Sequence, residues 1–320
     1  PAGVLAASTL SRGVLMAVAA DLRATIARAK RRDLMFVGLG VAALLFAACT
    51  FVALFIDMIG TGFDRLNPDF FTEFGSRRAE RAGILAAWVG SFAVMMVTAL
   101  FAVPLGVAAG IYLEEYGSRN RLTALIEINI NNLAGVPSIV YGLLALGLFV
   151  HTFGLGASVL TAGLTLSLLI LPVVIVATRE AIRAIPGSIR EAAYALGATR
   201  WQMIQHHVLP YSMPGILTGV IIGLSRAIGE TAPIITIGAV SFIAFLPPAP
   251  VTSDPPFINF DWLASPFTAM PIQICNWTSR PEEAFQANAS AAALVLVVMT
   301  LLMNAIAIWL RYRLRRNLNW

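Results

Sequence analysis

Charge is scarce in this sequence. Asp, Glu, Lys and Arg make up 12% of its 320 residues, 58% are hydrophobic, and mean hydropathy is +0.80. Soluble domains run nearer a quarter charged, and a water-soluble fold of this size needs more polar side chain to cover it. The composition excludes an ordinary soluble domain and makes lipid the natural solvent. Lysine is scarcer still, with Lys30 the only one. No glycine-rich turn precedes it, so a P-loop, which needs that turn and a lysine on the phosphates, is excluded. If ATP drives this chain, another subunit binds it. Two cysteines, Cys49 in an apolar run and Cys275 in a polar connection, make no disulfide framework and no metal or redox spacing. Of the three histidines, His151 stands alone, and the neighbours His206 and His207 point about 100° apart on a helix, which argues against a metal site. No nucleophile–base–acid set is visible, so the chain reads as a non-enzyme with no cofactor of its own.

Long apolar runs are what the sequence has in quantity. A span needs about 20 mostly apolar residues to cross about 30 Å of hydrocarbon. Six segments qualify: Leu34–Ile59, Ile84–Tyr112, Leu122–Val150, Ala157–Thr178, Met213–Phe245 and Ala289–Leu310. The expected class is therefore all-α, a polytopic membrane protein with six transmembrane helices. Pro104, Pro137 and Pro233 fall inside the second, third and fifth runs, where a missing N–H kinks or breaks a helix. Residues 1–33 read as a cytoplasmic helix with a basic end, Arg23, Arg28, Lys30, Arg31 and Arg32, lying on the anionic face of the membrane. The polar stretch before the first run is too long for a signal peptide, and no small-residue cleavage site ends that run.

Basic residues set the orientation. With the N-terminus inside, sixteen of the 22 Lys and Arg fall on inner segments, five on outer ones and Arg226 within a span. Residues 311–320 then form a basic cytoplasmic tail, and both termini lie in the cytoplasm. The first outer loop is untidy, with Arg65, Arg77, Arg78 and Arg81. The positive charge is spread over short loops at one face, without the basic stripe that nucleic acid needs. The proline-rich connection 246–288, with Trp262 and Trp277 at interfacial positions, reads either as a loop folded over the outer mouth or as a surface for an external partner.

Between the fourth and fifth runs lies SIREAAYALGATRWQMIQHHVLP, residues 188–210 of the cytoplasmic loop 179–210. Ser188 followed by Glu191 is a capping box that predicts a helix from about Ile189. Gly197 is placed to stop it. Thr199 followed by Gln202 is a second capping box, opening a short helix toward Pro210. Trp201, Met203 and Ile204 are expected on a helix that faces water. By physics alone, either Glu191 caps a helix, Gly197 ends it and the apolar residues pack back on the bundle, or the loop serves a docking partner.

Glu191-Ala192-Ala193, then Gly197, then Leu209-Pro210 resembles the EAA loop of ABC-importer permeases. LAGVPSIVYGL (133–143) and GLSRAIGETAPI (223–234) look like phosphate-specific permeases, and PFTAMPIQICNW (266–277) resembles the PstA type. The resemblance implies a type I ABC importer permease (MetI-like) fold in a bacterial inner membrane. It implies ATP-Mg bound by two PstB-like ATPase subunits, a PstC-like second permease making a heterodimer, and an external PstS-like phosphate-binding protein. It further implies that Glu191 contacts the ATPase, with Ala192, Ala193, Gly197, Trp201, Leu209 and Pro210 completing the coupling segment. Sulfate or molybdate permeases share the EAA loop, so another oxyanion stays open, as do a passive channel and a membrane enzyme.

Arg226 and Glu230 are four apart on the expected fifth helix, with Ser225 and Thr231 beside them. Charges at membrane depth usually face the bundle interior or a water-filled path, and a guanidinium fork matches phosphate oxygens. Arg226 then either helps an oxyanion across, with Glu230 holding it, or forms an internal pair that fixes packing; Glu230 can alternatively pair with a partner permease. Asn131, Ser138 and Tyr141 can share one helix face, and Gly135 and Pro137 predict a local break where backbone lines a cavity. Glu127, Asn129 and Asn132 read as a hydrated entrance, and Arg179, Glu180 and Arg183 as local pairs.

Overall fold

A backbone surrounded by lipid must satisfy its own N–H and C=O groups, so apolar runs of this length fold as helices. The computed structural model describes residues 2–117, 120–251 and 257–316, with side chains described between 29 and 313, and contains no β-strand among them. The chain divides into two units, Pro1–Asp57 and Met58–Trp320.

The first unit lies within one helix, α1 (Ala2–Gly62). Its apolar side chains stand outward, with Leu34 73% and Phe46 76% exposed, as on a lipid-facing span. The helix continues unbroken through residue 33, where a surface helix was expected to give way to the first span. The side chains of Arg23 and Arg28 lie outside the described residues.

The second unit is built around α5 (Val159–Arg183), two-thirds of whose apolar stretch is buried. Twenty-five residues at about 1.5 Å each give about 37 Å, enough to span. Against α5 packs α2 (Leu85–Tyr116), at positions where both helices have small residues. A Cβ on Gly106 would strike Val174, and one on Gly110 would strike Thr178, so the backbones approach as in small-xxx-small membrane contacts. Thr98 Oγ1 donates to the Val94 and Gly163 carbonyls, and Ser167 Oγ to those of Gly163 and Thr98, closing this seam with hydroxyls. Val94, Ala102, Leu166, Ile170, Ala227 and Phe267 fill the adjoining core.

Between these two helices run α3 (Arg121–Ala134) and α4 (Ser138–Thr152), bent by 105°. The expected third span is therefore two half-helices, broken at Gly135–Pro137. The cause is local: Pro137 starts α4 with φ −56° and ψ 136°, outside helical geometry. Among the described residues five helices are long and apolar enough to cross, or six spans with the bent pair as one.

After α5 come α6 (Gly187–Ala195) and α7 (Arg200–Gly229). The expected short helix ending at Pro210 does not exist by itself, because it runs on as α7. In a regular helix Pro210 would strike the carbonyl of residue 206; that residue sits in a π turn, Ile204–Val208, which widens the helix there. The expected fifth span also ends early. Helix α7 stops at Gly229, and a separate short helix, α8 (Ala232–Thr236), follows with Pro233 in its first turn.

The connection 246–288 is more than a loop. It contains α9 (Met270–Thr278), whose Met270, Pro271, Ile272 and Trp277 are buried. Trp277 is 0% exposed against Phe70 and Phe285, which overturns its interfacial placement. The Ser91 hydroxyl accepts from the Met270 N–H at 2.8 Å, capping α9 from α2. The chain closes with α10 (Glu283–Arg316); residues 317–320 of the basic tail lie outside the described residues. Near its start Asn288, 0% exposed, accepts from Arg65 Nε at 2.7 Å, and Arg65 also donates to the Ala79 and Glu80 carbonyls. An arginine that looked misplaced for orientation thus acts as a clamp across its own loop.

Candidate functional site

The α6–α7 loop is two helices joined by a tight turn, as its local sequence dictates. Gly197 has φ +80°, a conformation side chains disfavour. The Ala198 N–H donates to Ala193 O at 3.1 Å and the Gly197 N–H to Tyr194 O at 2.9 Å, the paired bonds of a Schellman stop. Thr199 and Gln202 form the expected capping box. Ser188 does not cap α6: Pro186 occupies the N-cap and Ser188 lies inside the helix. A proline with φ −56° already sets the chain for helix entry there, so no side-chain cap is required.

The loop's faces divide sharply. Ala193, Met203, Ile204 and Val208 pack with Ile182 and Ile185 into a small core of their own. Met203 and Ile204 are 0% exposed, packed back on the bundle as physics alone allowed, because their side of α7 turns onto α5. The opposite side presents Glu191, Ala192, Tyr194, Leu196 and Trp201. Leu196 is 89% exposed and Trp201 58%. Glu191 has no hydrogen bond or ion pair among the described residues. Leu209 and Pro210 are half-buried just past the π turn and do not belong to this exposed face.

A second group of residues anchors the loop; Arg179, Arg183 and Glu127 in it were expected only as local pairs and a hydrated entrance, and Glu114, Glu115, Arg190 and Arg200 carried no expectation. Helix α2 ends in a π turn, Tyr112–Tyr116, that carries two adjacent glutamates. Glu115 is 6% exposed and receives Arg190 of α6 through Nε at 3.0 Å and Nη2 at 2.8 Å. The same guanidinium donates to the Ile182 carbonyl in the last turn of α5 and to the Ile185 carbonyl just beyond it. Glu114 pairs with Arg183 at 2.9 Å and Arg179 at 3.5 Å, and Arg179 reaches Glu127 of α3 at 2.6 Å. Arg200, the first residue of α7, lies over the Tyr116 ring at 4.9 Å. Glu114, Glu127, Arg179 and Arg183 line a cavity of about 520 Å³ between α2, α3 and α5. For Glu114 and Glu115 the sequence offers only their place at the end of an apolar run.

The two broken helices form the third feature. Tyr141, buried, donates its hydroxyl at 2.8 Å to Leu133 O, which also accepts from the Val136 N–H at 3.1 Å, and so ties α4 back to the end of α3. Gly142 lies so close to Pro233 and Thr236 that no Cβ fits, which seats α4 against α8. Arg226 ends α7, and Glu230 lies beyond the break at Gly229, so they do not share one helix face. They still meet, Nε to Oε1 at 3.3 Å, with Arg226 42% and Glu230 18% exposed. Neither Nη nitrogen of Arg226 makes a hydrogen bond among the described residues. Arg226 is near enough to Tyr141 for the two to interact electrostatically.

Other expected neighbours separate. Ser225 bonds to Ile221 O and to the Asn304 side chain at 2.6 Å, facing α10. Thr231 is the N-cap of α8, and its carbonyl accepts from Ile234 and Ile235. Asn131 sits on α3 and Ser138 on α4, across the 105° bend, so those two share no helix face.

Membrane-length helices, a bent half-helix pair and an exposed two-helix loop define a multi-pass membrane transport subunit of importer-permease architecture. The chain belongs to the binding-protein-dependent transport system inner membrane component family, whose model matches residues 102–320. Over 230 residues it is 34% identical to the phosphate transport system permease protein PstA 1 of Mycobacterium tuberculosis H37Rv, covering 72% of this chain and 70% of that one. Over 276 residues it is 32% identical to the probable ABC transporter permease protein YqgI of Bacillus subtilis 168, covering 85% and 92%. In fold it is similar to a bacterial ABC transporter that imports the acidic polysaccharide alginate, with TM-score 0.60, 16% identity and coverage of 88% and 98%. The MetNI methionine transporter shares the fold at TM-score 0.55 and 17% identity, covering 70% of this chain and 93% of that one.

Proposed function

We propose that this chain is the membrane-spanning permease of an ATP-driven inorganic phosphate importer. Phosphate moves inward by alternating access, with the α6–α7 loop on the cytoplasmic side and both termini inside. ATP-Mg is held by two separate ATPase subunits, a second permease completes a heterodimeric pathway, and an external binding protein delivers the anion. The observation that carries the reading is the loop's exposed face. Leu196 and Trp201 stand in water beside an unpaired Glu191, on a loop whose other face is fully packed. A solvated apolar patch beside a free charge is the chemistry of an interface, and it fits a groove on an ATPase. The PstA relatives supply the substrate.

Arg226 serves the pathway in this reading. Glu230 engages Nε and fixes the guanidinium, leaving both Nη groups to meet phosphate oxygens. Asn131, Ser138 and Tyr141 by the α3–α4 break and Thr231 at the start of α8 are assigned to the same pathway, while Ser225 is turned toward α10. Glu191, Ala192, Gly197 and Trp201 dock the ATPase, Ala193 holds the loop to its core, and Leu209 and Pro210 follow the π turn. The deciding experiment is reconstitution of the whole complex in proteoliposomes with labelled phosphate. Uptake that needs ATP and the binding protein, and that excess sulfate or molybdate does not suppress, is the expected result. Uptake of sulfate or molybdate instead would reassign the substrate; uptake without ATP would remove the importer.

A further inference from the structure

The α2 π turn is where both arms of the loop attach to the membrane domain. Arg190 comes from α6 and Arg200 from the start of α7, and their targets, Glu115 and Tyr116, are adjacent. A π turn holds an extra residue per turn. Glu114 and Glu115 face different neighbours there, one α5 and the other α6. From Glu114 the contacts continue through Arg179 to Glu127 on α3. Helix α3 then ends at the break that Tyr141 spans beside Arg226. Two sets of ion pairs, linked through the adjacent Glu114 and Glu115 of the π turn, therefore join the loop to the bent helix.

We propose that Tyr112–Tyr116 is the socket through which displacement of the α6–α7 loop reaches the transport pathway, with Arg190 and Glu115 as its positioning residues. The proposal rests on the loop's role as the ATPase docking segment. Three features favour transmission over mere stapling. The Arg190–Glu115 contact is nearly dry and made by two guanidinium nitrogens, so it transfers a push without slack. The same guanidinium grips the end of α5, so loop, α2 and α5 move as one body. The next contacts, around Glu114 and Glu127, border the 520 Å³ cavity, which leaves α3 room to swing. Discrete contacts linking rigid helices are the physical requirement for such coupling, and a double-mutant cycle is the measurement that establishes it.

The test uses the reconstituted complex with its ATPase, second permease and binding protein. Glu115→Ala, Arg190→Ala and the double variant are compared with wild type, together with the milder Glu115→Gln, which keeps shape and an acceptor. Three quantities are read: co-purification of the ATPase, ATPase stimulation by loaded binding protein, and phosphate moved per ATP. The expected outcome is co-purification within twofold of wild type and phosphate per ATP reduced about tenfold in each alanine variant. The double variant is then no worse than the poorer single, and Glu115→Gln is reduced about threefold. An unchanged ratio in all variants overturns the proposal. So does a ratio that falls only in proportion to lost assembly, or single effects that simply multiply in the double. Wild type is first assayed with phosphate, sulfate and molybdate. If it carries another anion the substrate assignment fails, yet the socket is still judged with that anion and by ATPase stimulation. If wild type shows no stimulation and the ATPase does not co-purify, the docking reading itself fails.

Discussion

Arg226 is the basic residue whose surroundings most resemble a ligand site. Its pair with Glu230 is one contact, Nε to Oε1 at 3.3 Å, with neither Nη engaged among the described residues. Its contribution to folding is therefore small, and its removal tests function cleanly. In Arg226→Gln, assembly is expected to stay within twofold of wild type, and uptake at limiting phosphate to fall at least tenfold. Wild-type uptake in that variant would remove Arg226 from the pathway. Gly197 offers a complementary test at the loop. Forcing a β-branched residue to φ +80° costs roughly 1–2 kcal/mol, and the loop avoids that cost by changing its turn. Gly197→Val should insert normally yet lose ATPase co-purification and uptake together; normal co-purification with normal uptake would sink the docking role.

At the same scale, sequence reveals what short-range bonds encode. Gly197 and the Thr199–Gln202 box were legible because donor and acceptor lie within five residues. The Arg190–Glu115 and Arg183–Glu114 contacts were not, since 75 and 69 residues separate the partners. Nothing local in a glutamate pair says which arginine closes on it. The Ser188 cap failed for a different reason, because the backbone of Pro186 had already fixed the helix start two residues earlier.

Among the elements, the breaks matter more than the spans. Proline and glycine announced the α3–α4 break but not its angle, because 105° is set by what α4 rests on. That support is α8, met at Gly142. Small-to-large changes in a tight contact cost about 1–3 kcal/mol. Gly142→Leu should therefore lower the melting temperature of the purified complex by several degrees and reduce uptake, with Gly142→Ala intermediate. A melting temperature equal to wild type in the leucine variant would mean that α4 and α8 are not in contact. The joining of the expected coupling helix into α7 has a similar lesson. Pro210 reads as a stop signal in sequence, and one widened turn lets the helix pass it. That turn leaves no composition signal.

Across the whole molecule, the two ends of the second unit are stabilised by different chemistry. The α6 end is held by ion pairs, the α9 end by aromatic packing around Trp277 and the Arg65–Asn288 clamp. Leaving a buried polar group without its partner costs about 1–3 kcal/mol. Arg65→Gln should thus increase protease cleavage within residues 66–84 while leaving loop-dependent ATPase co-purification unchanged. Equal loss at both ends would show that the clamp supports the entire fold. Fold class was readable from hydropathy because lipid imposes helices on any apolar run. The burial of Trp277 and α9 was not readable, since a short polar-flanked helix of nine residues looks the same in a loop as in a core.

The bend between α3 and α4 also bears on how the protein is made. The 105° elbow leans on α8, which meets α4 at Gly142. Helix α8 is synthesised long after α4, beyond α5, α6 and α7. The contact that seats the elbow is therefore complete only once α8 has been made, and the order of synthesis bears on how this part of the fold is reached.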